Sequence, residues 1–323
     1  MRLAIAQIAP RLLDREATTA RAARAIEDAA ASGARLVVFG ESFLPGYPIW
    51  LDRTHGARFE DPLQQQLHAR YLDAGVDIEA GHLDPLREAA RDGGIAVVIG
   101  IAERPRDRGG HTLYASCVTI APDGAIASVH RKLMPTYEER LCWGAGDAHG
   151  LVTHRFDALA PFTLGSLNCW ENWMPLARAA LHAQGEDLHV AIWPGGDANT
   201  RDATPFIAKE ARGYVVSAGA RLTHDDIPDD FPARHTIVSS PREDGSARVI
   251  HNGGSAVAAP DGSWILEPDT TTNGIITADI DHTRVLEQRQ NFDHSGHYAR
   301  PELLRLAVNR ARIRAATFDD PNA

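Results

Sequence analysis

Cys169 lies in Gly165-Ser-Leu-Asn-Cys-Trp-Glu-Asn-Trp-Met-Pro-Leu-Ala-Arg178, a short apolar strand that runs into a helix. A thiol at such a junction faces the free N–H groups and positive dipole end of the helix, which favour thiolate over thiol. That is the mounting of a nucleophile. A single cysteine is more often a small buried hydrophobe, and position alone does not separate the two readings. Two more reactive groups sit where strands open. Arg35-Leu-Val-Val-Phe-Gly-Glu41 is a continuous apolar run that ends on a carboxylate, and Ala125-Ile-Ala-Ser-Val-His-Arg-Lys132 is an alternating run that ends on an ammonium. Sites in layered α/β folds collect at the carboxyl ends of strands, so Glu41, Lys132 and Cys169 could converge.

Lysine usage singles out the ammonium independently. Among 33 basic residues, lysine occurs only at Lys132 and Lys209. An ammonium is compact and can be buried where a planar guanidinium does not fit, so a chain that writes arginine almost everywhere has a reason, or chance, for each exception. Lys209 has no motif around it and its role stays open.

The elements that must carry these groups read as alternating strands and helices. Met1 to Pro10 is a first strand, and Ala17 to Ala31 an alanine-rich helix stopped near Gly33. Helices are expected at 62–71 and 83–92, and buried or alternating strands at 95–101, 111–120 and 125–130. The last two are joined by Pro122-Asp-Gly124. Strands at 188–193 and 214–218 flank a helix expected around Pro205 to Arg212. A second Ala-Pro-Asp-Gly hairpin spans 254–266, which hints at two similar halves. A strand at 274–281, a short helix at 283–290 and a basic helical stretch reaching Arg314 follow, with a polar, disordered end from Asp319 to Ala323. The pattern predicts an α/β fold.

Three segments resemble the catalytic signatures of the nitrilase, or carbon–nitrogen hydrolase, superfamily, in the order of that family. They are Gly40-Glu-Ser-Phe-Leu-Pro-Gly-Tyr-Pro48, His130-Arg-Lys-Leu-Met-Pro-Thr-Tyr-Glu-Glu-Arg140 and Asn168-Cys-Trp-Glu-Asn172. Val190-Ala-Ile-Trp-Pro-Gly195 and Gly296-His-Tyr-Ala-Arg-Pro301 extend the resemblance over nearly the whole chain. It implies a four-layer α-β-β-α sandwich of two mixed β-sheets flanked by helices. It also implies one hydrolase domain over 1–290 and a tail, 291–323, at a subunit interface. Glu41 would act as proton shuttle, Lys132 as cationic stabiliser together with the N–H of Trp170, and Cys169 as nucleophile. The family pattern adds Glu139, orienting Lys132; read from the residues alone, Glu139 is a solvated charge on a Glu-Glu-Arg turn. Gly40 stands where many members carry proline, and the tail is shorter than in many microbial members.

The reaction implied is hydrolysis of a small nitrile to the acid and ammonia. Trp170 after the cysteine favours this over an amidase or a carbamoyl-amine hydrolase, whereas the extended run to Asp147 resembles nitrilases and cyanide-hydrolysing relatives alike, so cyanide stays an alternative substrate. Tyr47, Trp170, Trp193 and Cys142 are the candidates for substrate contact, with Phe43 and Trp50 as further possible walls, although aromatics are more often core. Cys142 lines the pocket or merely packs, Cys117 reads as core filler, and Glu171 as a first-turn carboxylate that complements the helix dipole.

Composition sets the boundaries. A chain of 323 residues, 44% hydrophobic and 24% charged, is an ordinary globular protein, and its net charge of −10 argues against nucleic-acid or anionic-membrane partners. The longest apolar runs, such as Ile95 to Ala102, fall well short of the roughly 20 residues that span a bilayer. The opening strand is too short and too alternating for a secretory signal. Three widely spaced cysteines suit a reducing cytoplasm. The 15 histidines form no metal-ligand spacing and no phosphate loop is present, so neither metal nor cofactor is expected. The partners expected are a small nitrile and further copies of the chain, as a homodimer or larger homo-oligomer.

Overall fold

The computed structural model describes residues 1–239 and 249–316. Strands β1 (Arg2–Gln7), β2 (Leu36–Val38), β3 (Ala96–Glu103), β4 (Tyr114–Ile120) and β5 (Ile126–Arg131) form one sheet in that order, with β13 (Gly274–Asp279) antiparallel on the outer side of β1. The second sheet runs β6 (Leu164–Asn168), β7 (Leu188–Trp193), β8 (Tyr214–Gly219), β11 (Ser255–Ala258), β12 (Trp264–Asp269). A small ribbon of β9 (Arg221–Thr223) and β10 (Val249–Asn252) stands beside them. The helices are α1 (Arg15–Ala31), α2 (Trp50–Arg53), α3 (Pro62–Asp73), α4 (Asp84–Gly93), α5 (Pro175–His182), α6 (Asp197–Ala211), α7 (Arg234–Ser239) and α8 (Thr283–Arg289).

The alternation within strands builds the layers. Leu3, Ile5, Leu36 and Val38 of the first sheet meet Leu188, Val190, Ile192 and Val216 of the second in one core, because successive side chains point to opposite faces. The other face of the first sheet, with Ala4, Val37 and Val97, packs on Ala22, Ile26, Leu86 and Ala90 of α1 and α4. The outer face of the second, with Ala191, Trp193 and Val215, packs on Ala203, Ile207 and Ala208 of α6, while Leu167 meets α5. The result is the expected α-β-β-α sandwich of two mixed sheets.

The two sheets repeat one topology. In each, three parallel strands are followed by an antiparallel hairpin: β1-β2-β3 then β4-β5, and β6-β7-β8 then β11-β12. The two Ala-Pro-Asp-Gly turns close these equivalent hairpins, with Gly124 and Gly262 both at φ 83° and Ala121 and Ala259 donating to Ala125 and Ser263 at 2.8 Å. The repeat hinted at by two tetrapeptides is therefore structural.

Several elements differ from their sequence reading. Strand β2 ends at Val38 rather than running to Glu41: Phe39 N and Gly40 O still bond Val98 O and Gly100 N of β3 at 2.9 and 3.2 Å, whereas Glu41 N turns to the other sheet and donates to Trp193 O at 2.9 Å. Helix α6 begins at Asp197 and carries Pro205 inside it rather than at its start. No helix forms between 304 and 314. The tail's backbone is engaged instead by side chains: Ile313 N donates to Asp147 at 3.1 Å, Arg310 O is 3.1 Å from His149 Nδ1, and Arg108 donates to Ile313 O. Arg312 pairs with buried Asp147 at 3.0 Å. Asp319 to Ala323 lies outside the described residues. No helix among the described residues is long and apolar enough to cross a membrane.

Gly100 of β3 is the tightest point under Glu41. A Cβ there would lie 2.3 Å from Ser42 N and 2.6 Å from both Glu41 Cα and Gly40 O, all backbone of the segment that carries Glu41. Gly100→Ala is expected to cost about 1–3 kcal/mol and to displace Glu41. Chemical denaturation and turnover of the purified variant check this; wild-type values for both would show that the contact relaxes freely.

Candidate active site

Glu41, Lys132 and Cys169 each follow the last residues of a strand, β2, β5 and β6, and meet between the two sheets. Lys132 N continues the β4–β5 ladder to Ala115 O at 2.8 Å, so its side chain enters the interior with no exposed surface. Its ammonium is 2.6 Å from Glu139 Oε2 and 2.8 Å from Glu41 Oε1. Glu139 is not solvated. It sits in a tight turn over Tyr137–Leu141, accepts Thr136 N at 2.6 Å in a capping box and takes the Tyr47 hydroxyl at 2.8 Å. Glu41 is equally buried, and among the described residues the one close polar contact of its carboxylate is the Lys132 ammonium at 2.8 Å, which leaves Oε2 without a hydrogen-bond partner there.

Cys169 adopts φ 48°, a left-handed backbone uncommon for a residue with a Cβ. Its turn, Cys169–Trp173, is a single tight turn that gives way to α5 only at Pro175, so no full helix points at the thiol. Burial dominates instead: it pushes the thiol well above its ordinary pKa, with the charge of Glu41 adding to the rise, against Lys132 and a hydrogen bond from Trp170 N–H. Cys169 therefore rests as a thiol, contrary to the thiolate that a helix N-terminus would favour. Burial also lifts the Glu41 carboxyl, to about 8, against the pull of Lys132. Burial alone would discharge Lys132, but the acidic groups around it, Cys169 when ionised and the Glu41 and Glu139 carboxylates, outweigh it and raise its pKa.

One donor atom each from Glu41, Glu139 and Cys169 lie within 4.8 Å of one another, a spacing that could ligate a cation. The Lys132 ammonium already touches both carboxylates, so the cation of this cluster is the lysine itself.

The remaining candidates divide. Tyr47 joins the cluster through Glu139 and packs edge-on against Trp143 and His251. Trp143, whose ring centroid is 5.8 Å from Lys132 Nζ, had no signal beyond its place beside Cys142. The Cys142 thiol faces Glu139 O at 3.4 Å. The Trp170 side chain is 55% exposed and turned outward. Trp193 has no exposed surface: its indole donates to Ser217 at 3.2 Å under α6, and its carbonyl holds Glu41 N. Phe43 and Trp50 are core residues, and Cys117 is buried in the inter-sheet core. Lys209 is exposed on the last turn of α6.

A sequence model of the carbon–nitrogen hydrolase family matches residues 2–290. The chain belongs to that family. An aliphatic nitrilase from Sinorhizobium fredii (strain HH103) is 36% identical over 313 residues, 95% of each chain. Nitrilase 2 of Arabidopsis thaliana is 32% identical, covering 98% of this chain and 91% of its own. An arylacetonitrilase from Fusarium vanettenii is 32% identical over 96% of this chain and 93% of its own. The fold is shared with a carbon–nitrogen hydrolase from Helicobacter pylori G27, at a TM-score of 0.66, 19% identity and coverage of 90% and 92%.

In this carbon–nitrogen hydrolase Glu171 does more than complement a dipole. Its buried carboxylate accepts Leu133 N at 2.6 Å and Asn168 N at 2.9 Å and lies 3.1 Å from His130 Nε2. These partners flank Lys132 on one side and Cys169 on the other, so Glu171 ties the two strand ends together across the sheets. Burial tends to raise its pKa, but His130 and the two N–H groups outweigh it and the net shift is downward. A carboxyl depressed on folding contributes stability above its unfolded pKa, near 4.5, that is lost as pH falls through the folded value. Glu171→Gln turns an amide N–H toward donors and is expected to cost about 3 kcal/mol at neutral pH, less below pH 4. Urea denaturation at both pH values measures it, and an equal loss at both would refute the assignment.

Proposed function

We propose that this carbon–nitrogen hydrolase is a nitrilase, converting an organic nitrile and two waters to a carboxylic acid and ammonia. The observation that carries the chemistry is Glu41, a buried carboxyl 2.8 Å from the Lys132 ammonium, lifted to about 8 by burial and standing beside a buried thiol. A base poised near operating pH can both take and return a proton. The choice of nitrile over amide is supported by relatives named as nitrilases at 32–36% identity along nearly the whole chain.

Glu41 takes the Cys169 proton as sulfur attacks the nitrile carbon. The charge that builds on nitrogen meets Lys132, held charged by Glu139, and the Trp170 N–H; protonation of nitrogen leaves a thioimidate. Water activated by Glu41 adds, the tetrahedral intermediate expels ammonia, and a thioester remains. A second water releases the acid and returns the proton to sulfur. Expulsion of the thiol from the tetrahedral intermediate gives the amide as by-product. Tyr47 and Cys142 stand beside Glu139 as candidates for substrate contact, with Trp193 supporting Glu41 from below.

Residues 1–290 act as one hydrolase domain, with 291–323 as a tail that serves an interface. Homo-oligomerisation is supported by apolar surface beside the nucleophile turn: Trp170, Trp173 and Leu176 are 55, 40 and 69% exposed, and Leu304 of the tail 81%. Three unpaired cysteines support a cytoplasmic location.

The test is ammonia release from a panel of aliphatic, aromatic and arylacetonitriles, cyanide, the matching amides and a carbamoyl amine, with Cys169→Ala as blank. Nitriles are expected to turn over and amides not. Because a raised carboxyl is protonated, and useless as a base, below its pKa, kcat/KM should fall about tenfold per pH unit below about 8 and level off above it. Release from amides alone would overturn the nitrile reading, and a flat profile from pH 6 to 9 the role of Glu41.

A further inference from the structure

The left-handed backbone of Cys169 is held from behind by a chain of buried side chains that the reaction itself does not use. Asn172 Nδ2 donates to Cys169 O at 2.8 Å and also faces Leu167 O at 3.4 Å. Asn172 Oδ1 is 2.7 Å from His189 Nε2, and His189 Nδ1 is 2.8 Å from Glu186 Oε1. Asn172, His189 and Glu186 are each at most 1% exposed. Glu186 reaches His189 across β6 at Gly165, where a Cβ would lie 1.9 Å from Glu186 Oε1. Any side chain at 165 would close that path.

Donor and acceptor accounting fixes the protons. Two carbonyls claim the Asn172 amino group, so Oδ1 must accept and His189 Nε2 must carry a hydrogen. If His189 held only that hydrogen and Glu186 were ionised, two lone pairs would face each other at 2.8 Å. The Glu186–His189 pair therefore keeps one further proton between Nδ1 and Oε1. Among the described residues Glu186 Oε2 and His182 Nε2, 3.7 Å apart, have no hydrogen-bond partner, so there the bond to His189 holds the carboxyl.

We propose that Glu186, His189 and Asn172 are positioning residues: a buried relay that keeps Nε2–H on His189, thereby orients Asn172, and so fixes Cys169 in the backbone conformation that brings its sulfur to Glu41. A non-glycine residue in the left-handed region costs of order 1–3 kcal/mol and persists only where its surroundings over-determine it. The relay supplies that restraint from β7, while Arg178 Nη1, donating to Asn172 O at 2.6 Å, braces the end of the turn. The inference rests on Cys169 being the nucleophile and is independent of which substrate it attacks.

The experiment follows alkylation of Cys169 by iodoacetamide, by peptide mass spectrometry at pH 8, in the full-length protein, with Cys169→Ala as blank for the other thiols. His189→Phe cannot donate to Asn172, whereas the amide of His189→Gln can. The Phe variant is expected to slow alkylation about tenfold and to lower kcat about 30-fold, the scale of a small misplacement. KM should stay within about threefold, and the Gln variant should recover most of both losses. Alkylation in His189→Phe within twofold of wild type, or faster, would overturn the relay, as would a Gln variant no better than Phe. If His189→Phe does not fold, Asn172→Ala is read by the same criterion. Slowed alkylation in His189→Phe with recovery in His189→Gln, together with no turnover of any nitrile by the wild-type protein, supports the relay and removes the nitrile reading.

Discussion

An ammonium without solvent, set between two carboxylates without solvent, is the constraint on which the rest depends. A lone charge so deeply buried would be driven neutral, so Lys132 keeps its proton only while Glu41 and Glu139 stand within 2.8 Å of it. Each carboxylate must in turn be delivered by a different part of the chain. Glu41 arrives where β2 leaves its ladder and crosses to Trp193 O, and Glu139 arrives on a capped turn fastened by Tyr47. The bare backbone at Gly100 and the cross-sheet hold of Glu171 follow from the same need, since the cluster has room for neither slack nor an extra methyl group.

The cluster also decides how the sulfur is activated. Burial and the neighbouring carboxylate keep Cys169 a thiol at rest, and the same burial lifts Glu41 into the range where it can exchange a proton. On the proposed mechanism, activation is deferred until substrate is present and charge can move from sulfur to nitrogen, beside a lysine held by Glu139 at 2.6 Å. A permanently charged thiolate in so dry a site would have raised the cost of folding it. The mechanical counterpart lies behind the turn, where Asn172, bonded in turn to His189, holds the carbonyl of left-handed Cys169.

What the sequence discloses follows from range. Local patterns were legible: apolar runs ending on Glu41, Lys132 and Cys169 marked strand ends, and two Ala-Pro-Asp-Gly turns marked equivalent hairpins. Groups whose roles depend on the meeting of two sheets were not. Glu139 reads as a solvated charge because its partners, Lys132 and Tyr47, come from elsewhere, and only the family resemblance singled it out. Glu171 looks like a dipole partner because Leu133 and His130 approach from the other sheet. Trp193 looks like a pocket wall, although its ring lies under α6 and its carbonyl does the positioning. The tail's basic pattern suggests a helix, but Asp147, His149 and Arg108 claim its backbone.

The central claim is that the buried cluster makes Cys169, and no other thiol, the nucleophile. Acid quenching during steady-state turnover of a reactive nitrile, followed by peptide mass spectrometry, tests it most directly. The account predicts a substrate-derived adduct on the peptide carrying Cys169 and none on those carrying Cys142 or Cys117. An adduct on Cys142, or undiminished turnover by Cys169→Ala with no adduct anywhere, would contradict it.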